Sequence, residues 1–336
     1  MLDTGYPAMQ KYENIGLDLP VFMRGREIDT KSYMTDLNRI TPKRLRPGSR
    51  IGIVAPAGPF DENKFEEGIQ ALEKIGFVPV IPSRLSRKKG YLAGDDTHRV
   101  SMIHRFFSDP SVDAILCARG GYGSMRILPL LDFSVIRSHP KIFIGFSDIT
   151  VLLTALYSRC AMVTYHGPVV TSLGAGSAQT GDALVSAISF RQRIVIKAEN
   201  GFILNPGMAE GPVIGGNLTL LSHLVGTPYA PTYDGHILFF EDCNEPPYRI
   251  DRMLTQMRLS GCLDGIAGLF LGQFKDCGAM TTIREIIAEI FQDRNIPIMG
   301  GFDIGHGRTN LTLPIGISAR LETGSRRLSY LEPAVS

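Results

Sequence analysis

A serine sits where an apolar run breaks and then resumes at helical spacing. Lys141 to Tyr157 reads KIFIGFSDITVLLTALY, with Gly145-Phe146-Ser147-Asp148 at the break. A strand that turns sharply into a helix on a serine lifts the hydroxyl off the sheet edge. The amides of the helix's first turn, which have no partner inside the helix, can then face a developing oxyanion. Serine and aspartate before a helix are also ordinary N-caps, so the turn alone leaves both readings open.

A serine nucleophile needs a base, and the base needs an acceptor to orient it. Of the seven histidines, His98 and His104 fall in a helix expected to face solvent, and His139 precedes Pro140 in a loop. His223 lies in an apolar helix and is expected as a packed or capped core residue, and His236 opens an apolar strand. His306 differs, because Asp303-Ile304-Gly305-His306-Gly307-Arg308-Thr309-Asn310 flanks it with glycines and leaves an imidazole free to approach a substrate. His166, in Thr164-Tyr165-His166-Gly167-Pro168, is its competitor.

For the acceptor, Phe239-Phe240-Glu241-Asp242-Cys243-Asn244-Glu245 puts carboxylates where a buried strand ends. Such groups cost desolvation unless they are paired. Helix capping ahead of Tyr248 suits Asn244 or Glu245 better than Glu241. Glu241 is therefore expected to orient His306, with Asp242 and Glu245 as alternates. The order Ser147, Glu241, His306 follows the serine, acid, histidine order of α/β-hydrolases, but the turn lacks the last glycine of G-x-S-x-G.

The elements that must carry these groups alternate. Arg50 to Ala55, Phe77 to Ile81, Ala114 to Ala118 and Ile142 to Ile144 read as strands, with helices over Asp61 to Ile75, Thr97 to Phe107, Ser124 to Leu131 and Ile149 to Tyr157. That alternation predicts a mostly parallel α/β sheet. Residues 1–46 are polar and weakly periodic and read as an extension, 47–174 as the nucleophile domain, and 175–210 as an inter-domain crossing of loose pattern. Residues 211–336 form a second α/β unit with Glu241 and His306.

Ligands of open α/β sheets bind outside the carboxyl ends of the strands. Three loops lie there: Ala55 to Pro59, Arg119-Gly120-Gly121-Tyr122-Gly123 and the Ser147 turn. The glycine loop can cradle an anion or add an amide, from Gly120 or Gly121, to that of Asp148. Arg119, by position, is a candidate partner for a substrate carboxylate, and Asn217 in Gly215-Gly216-Asn217-Leu218 is a further candidate contact.

Composition narrows the classes. The chain has 336 residues, 44% of them hydrophobic, enough for two domains of ordinary size. A net charge of +2, from 35 basic and 33 acidic residues, gives no sign of a nucleic-acid or membrane-surface partner. Five scattered cysteines without a C-x-x-C pair suggest neither a disulfide framework nor a zinc site, and no metal or cofactor is expected. No export signal or membrane-length apolar run is visible, which predicts a cytoplasmic protein.

With these segments in series, the chain resembles the LD-carboxypeptidases, serine peptidases of murein recycling that also include the microcin C self-immunity proteins. The matching segments are Ile51 to Pro56, Ala118 to Gly123, Gly145 to Thr150, Gly215 to Leu218, Glu241-Asp242 with Glu245 to Arg249, and Gly305-His306-Gly307. The resemblance implies a triad of Ser147, Glu241 and His306 across a two-domain interface, with an oxyanion hole from the Asp148 amide and a glycine of Gly120-Gly121. It implies an N-terminal α/β sandwich, a smaller mixed α/β C-terminal domain of swivelling type, and a homodimer. The implied reaction is release of the terminal D-alanine from a murein tetrapeptide. The implied alternative is hydrolysis of peptidyl or aminoacyl adenylate analogues, although this chain has no tryptophan to offer adenine. A third possibility is a non-enzymatic two-domain binder that closes on a small ligand. The extension of residues 1–46 departs from the common pattern.

Overall fold

The fold is that of a computed structural model, in which residues 38–336 are described; most of the expected extension lies outside the described residues. The first unit is a six-stranded sheet. It contains β1 (Arg50–Val54), β2 (Val78–Val80), β3 (Ala114–Cys117), β4 (Ile142–Gly145) and β5 (Thr164–His166), with strand order β2-β1-β3-β4-β5. All four pairings are parallel. Strands β3 and β4 are buried along their whole length, as expected for a sheet covered on both faces. The helix Glu62–Lys74 starts where Asp61 accepts the Lys64 amide, and buries Ile69 and Leu72. Helix Asp96–Ser108 packs so closely that a Cβ on Gly52 of β1 would stand 2.7 Å from the Phe106 ring.

The second unit is an eight-stranded mixed sheet. Its strands are β6 (Val195–Lys197), β7 (Phe202–Asn205), β8 (Met208–Asn217), β9 (Ile237–Cys243), β10 (Gly268–Lys275) and β11 (Ile298–Gly300), with β13 (Ser318–Glu322) and β14 (Arg327–Tyr330). The order is β6-β14-β13-β8-β9-β10-β11-β7, and β8 to β11 are parallel. Strands β6 and β7 are consecutive in the chain yet occupy opposite edges. A flat sheet of eight strands is about 34 Å wide, whereas the few residues from Lys197 to Phe202 reach about 19 Å. The sheet must therefore curl until its edges nearly meet.

The stretch read as a loose crossing is ordered. It holds the helix Ala178–Ser189, both edge strands and the start of β8. Its strands leave little local signal: β6 is only three residues long, and β7 shows no clean alternation of buried and exposed residues. The chain also returns to the first sheet: β12 (Leu313–Ile315) pairs antiparallel with β5 before β13 resumes the second sheet.

Candidate active site

Both loops at the first sheet's switch of direction, after β1 and β3, meet at the rim, where the Gly58 amide donates to the Gly120 carbonyl at 3.2 Å. Beside them β4 ends in the serine turn. Phe146 is extended and Ser147 has φ +62°, a left-handed conformation that costs a non-glycine residue about 1–2 kcal/mol. A short 3₁₀ turn, Ser147–Ile149, then leads into the helix Thr150–Cys160. Gly120 lies against this turn, and a Cβ there would come within 2.9 Å of Ser147 Cβ and 3.1 Å of Oγ. Gly121 adopts φ +105°, and its amide donates to no backbone carbonyl among the described residues.

Two buried side chains fix these loops together, and sequence reading singled out neither role. The Asp148 carboxylate accepts the Ser124 amide at 2.7 Å, tying the serine turn to the end of the glycine loop. Burial raises its pKa, while hydrogen bonds from Ser124 act against that rise. Arg99, fully buried, donates to the carbonyls of Pro56 and Gly123, and its other nitrogen reaches Asp96. Arg99 lies in a helix that carries its own apolar face, so nothing in its spacing marked it as a bridge.

The second unit supplies the imidazole. His306 Nδ1 donates to Glu241 Oε2 at 2.7 Å, which leaves Nε2 directed away from the carboxylate. Glu241, near the end of β9, is wholly buried, and a Cβ on Gly305 would stand 2.4 Å from Oε2, so the backbone must be bare there. Burial works to depress the His306 pKa, but the Glu241 charge, with a contribution from the neighbouring Cys243 thiol, outweighs it and holds the ring up at about 10. The loop is pinned on both sides of the ring. Gly305 N donates to Asn310 Oδ1 at 2.9 Å and Gly307 N to Gln273 Oε1 at 2.6 Å. It is also fastened to the helix Ala178–Ser189: Ser177 N donates to Arg308 O at 3.0 Å, and Asn310 N to Thr180 Oγ1 at 3.1 Å.

The serine turn and the imidazole come together across the two units. The His306 ring lies 4.9 Å, centroid to centroid, from Phe146, the residue before Ser147. Among the described residues the Ser147 hydroxyl makes no hydrogen bond to His306. Nucleophile–base contacts of this kind commonly close only once substrate is bound.

The other candidates separate. Asp242 points to the opposite side of β9, where its carboxylate accepts Asn217 Nδ2 at 2.8 Å, Thr219 N at 2.9 Å and Thr219 Oγ1 at 2.8 Å. Burial, then the adjacent Glu241 charge, raises its pKa. Glu245 pairs with Arg249 at 3.4 Å on the surface. Neither alternate acid reaches the imidazole. Asn217 is 3% exposed, caps the helix Leu218–Leu224 through the Leu220 amide, and has both ends of its side chain engaged. Arg119 is exposed and donates to the Pro59 carbonyl. His166 is completely buried between Phe146 and Phe239, at 5.9 and 5.1 Å, and neither ring nitrogen has a partner. Burial, aided by His306, pushes its pKa down to about 3. His223 corrects the expectation of a core residue: it lies on the exposed side of its helix.

Among the described residues no group of three or more His, Cys, Asp or Glu is placed to hold a metal ion, and no helix is long and apolar enough to cross a membrane.

A serine turn, a glycine loop and a buried acid–imidazole pair at the junction of two α/β units define a hydrolase of the serine, histidine, acid type in outline. Comparison with known proteins gives the family. The models of the LD-carboxypeptidase N-terminal and C-terminal domains match residues 51–167 and 210–321. The chain belongs to the LD-carboxypeptidase family. It is 36% identical over 311 residues, 88% of this chain and 95% of the other, to a Bacillus subtilis protein named "Probable murein peptide carboxypeptidase". It is 28% identical over 329 residues to the microcin C7 self-immunity protein of Escherichia coli, covering 87% of this chain and 96% of that one. The crystal structure of muramoyltetrapeptide carboxypeptidase from Oxalobacter formigenes superposes with a TM-score of 0.74 at 30% identity, over 84% of this chain and 97% of that one.

Proposed function

We propose that this protein is a serine LD-carboxypeptidase that releases the terminal D-alanine from a murein-derived tetrapeptide. Ser147 Oγ attacks the scissile carbonyl while Nε2 of the neutral form of His306 takes its proton; because Glu241 raises the ring's pKa, that form is the minor one near neutrality and activity is expected to climb as pH rises. Glu241 holds the ring in the Nδ1–H tautomer and stabilises the imidazolium that forms. The amides of Asp148 and Gly121 receive the oxyanion. His306 then gives its proton to the leaving amine of D-alanine, and water repeats the sequence to free the acyl chain. Arg119 is assigned to the terminal carboxylate of the substrate. The observation that carries this reading is the 2.7 Å bond between His306 and Glu241, set with the ring against the residue before Ser147.

The deciding assay follows D-alanine release from L-Ala-D-Glu-diamino acid-D-Ala. The wild-type protein releases it, and Ser147→Ala lowers kcat by roughly 10⁴-fold or more. Near-normal release by Ser147→Ala removes Ser147 as nucleophile. A parallel assay on an aminoacyl sulfamoyl adenosine addresses the alternative substrate; the higher identity to the murein peptide relative than to the self-immunity protein favours the murein reading. A cytoplasmic homodimer belongs to the same proposal, and light scattering checks its dimeric state.

A further inference from the structure

One peptide group of the glycine loop is held between two buried side chains of opposite charge. Arg99 Nη1 donates to the Gly123 carbonyl at 2.8 Å, and the Asp148 carboxylate accepts the Ser124 amide at 2.7 Å. That carbonyl and that amide belong to the same peptide unit, the one joining Gly123 to Ser124. Arg99 and Ser124 are wholly buried and Asp148 is 2% exposed, so bulk water has little access to either bond. The fit is close: a Cβ on Gly123 would stand 3.0 Å from Arg99 Nη1 and 2.5 Å from Leu92 Cδ2. The same Nη1 also donates to the Pro56 carbonyl, in the loop after β1. From that loop the Gly58 amide donates to the Gly120 carbonyl at 3.2 Å, which holds a second peptide unit, Gly120 to Gly121.

We propose that Arg99 and Asp148 are positioning residues of the oxyanion hole, whose grip on the Gly123–Ser124 peptide fixes the direction of the Gly121 amide. This inference rests on Ser147 as nucleophile and not on which peptide is cut. The peptide bonds here are trans, so the C=O and N–H of each unit point in opposite directions. The Gly120 carbonyl faces Gly58, and the Gly121 N–H therefore turns away from the loop after β1. Gly121 and Gly123 have φ values of +105° and +126°, and glycine backbones swing freely unless they are held at both ends. The front of this stretch is held by Gly58 and by the crowding of Gly120 against Ser147, where a Cβ would come within 2.9 Å. Its far end is held by Arg99 and Asp148. Asp148 carries one oxyanion donor in its own amide, and its carboxylate grips the loop that carries the other. The two donors are thus tied to each other through one side chain that never touches substrate, and a misplacement of about 1 Å costs about 10²-fold in rate.

The test follows the rate at which a fluorophosphonate labels Ser147, a reaction that uses the oxyanion hole but needs no peptide, beside kcat and KM for D-alanine release. Rates are taken per site labelled at the end point, so unfolded protein does not enter them. Asp148→Ala lowers the labelling rate and kcat together by about 10²-fold, with KM close to that of wild type. Asp148→Asn, which keeps an oxygen for the Ser124 amide, recovers part of both. Where Asp148→Ala does not fold, Asp148→Asn decides alone: slower labelling than wild type supports the clamp, and an equal rate overturns it. Arg99→Lys, which keeps the charge but not the planar fork, also slows labelling. Joined to Asp148→Asn it slows labelling by less than the product of the single effects, because both act on one peptide. An unchanged labelling rate in Asp148→Ala, a loss confined to KM, or an Asn variant no faster than the Ala variant overturns the clamp and leaves the carboxypeptidase reading standing. Wild type that is labelled, is slowed by Asp148→Ala and yet releases no D-alanine overturns the substrate reading and keeps the clamp. Wild type that takes no label overturns Ser147 as nucleophile and the clamp with it.

Discussion

At the scale of single residues, the serine is held in a conformation it would not choose. Ser147 sits at φ +62°, and glycine adopts that backbone without the clash of a Cβ. Ser147→Gly is therefore expected to be more stable than Ser147→Ala by about 1 kcal/mol, while both are inactive; equal urea midpoints for the two would show that the turn is unstrained. The imidazole is tuned in the opposite sense, toward charge. Glu241 and Cys243 overcome burial and hold His306 up at about 10. Its contribution to stability is fully present below the unfolded value of about 6.5 and is lost as pH rises through about 10. NMR of the ring in Glu241→Gln is expected to show titration moved to lower pH, because burial then acts with less opposition; an unmoved titration would mean that Glu241 is not what charges the ring. These residues were legible because their types are rare in their settings: a serine at a strand end, a histidine between glycines, a carboxylate inside an apolar strand. The choice among Glu241, Asp242 and Glu245 was narrowed by capping logic; in the structure Glu241 bonds His306, Asp242 takes the other side of β9, and Glu245 lies beyond the strand's end, paired with Arg249. Asn217, whose side chain is taken up by the Leu220 amide and Asp242, shows what a motif alone does not convey.

At the scale of elements, the site depends on loops kept in register by groups away from the chemistry. Arg99 joins the loops after β1 and β3 through Pro56 and Gly123, and Asp148 joins the second of these to the serine turn. Arg99→Leu is expected to cost about 3–5 kcal/mol, because it leaves two buried carbonyls without donors and Asp96 without one of its partners. Denaturant unfolding measures this; a loss below 1 kcal/mol would mean that the loops hold without Arg99. Strands flanked by helices were readable from their runs of buried residues, as in β3 and β4. The three-residue strands β6, β11 and β12 were not, since their pairing is set by partners far away in the chain and little of it is written locally. Gln273 and Asn310 brace the histidine loop through backbone amides, and a side chain that serves distant backbone leaves no periodic trace.

At the scale of the whole molecule, the seam between the two sheets mixes apolar side chains with a few polar groups, most of them paired, as where Asn217 N donates to Thr150 Oγ1 at 3.1 Å. His166 lies there with both nitrogens unpartnered, and burial, helped by His306, lowers its pKa to about 3. The unfolded chain takes up a proton near pH 6.5 that the folded one refuses until about pH 3, so this group removes stability as pH falls through that window. His166→Leu is expected to raise stability by about 1–3 kcal/mol, with a wider gap at pH 5 than at pH 7. Urea midpoints at the two pH values check this, and a gap that narrows toward acid would reverse the assignment. The two α/β units and their order were visible in the sequence, but the return of the chain to the first sheet was not, because β12 is only Leu313–Ile315. That return bears on how the protein can be divided. Strand β12 completes the first sheet from beyond the second unit's parallel strands, so no single cut yields two self-sufficient pieces. A fragment ending near residue 175 would expose the edge of β5, an invitation to pair with another chain. On the ribosome the nucleophile-bearing sheet therefore stays unfinished until the chain through Ile315 has emerged, and the histidine loop just before β12 reaches its place at almost the same moment.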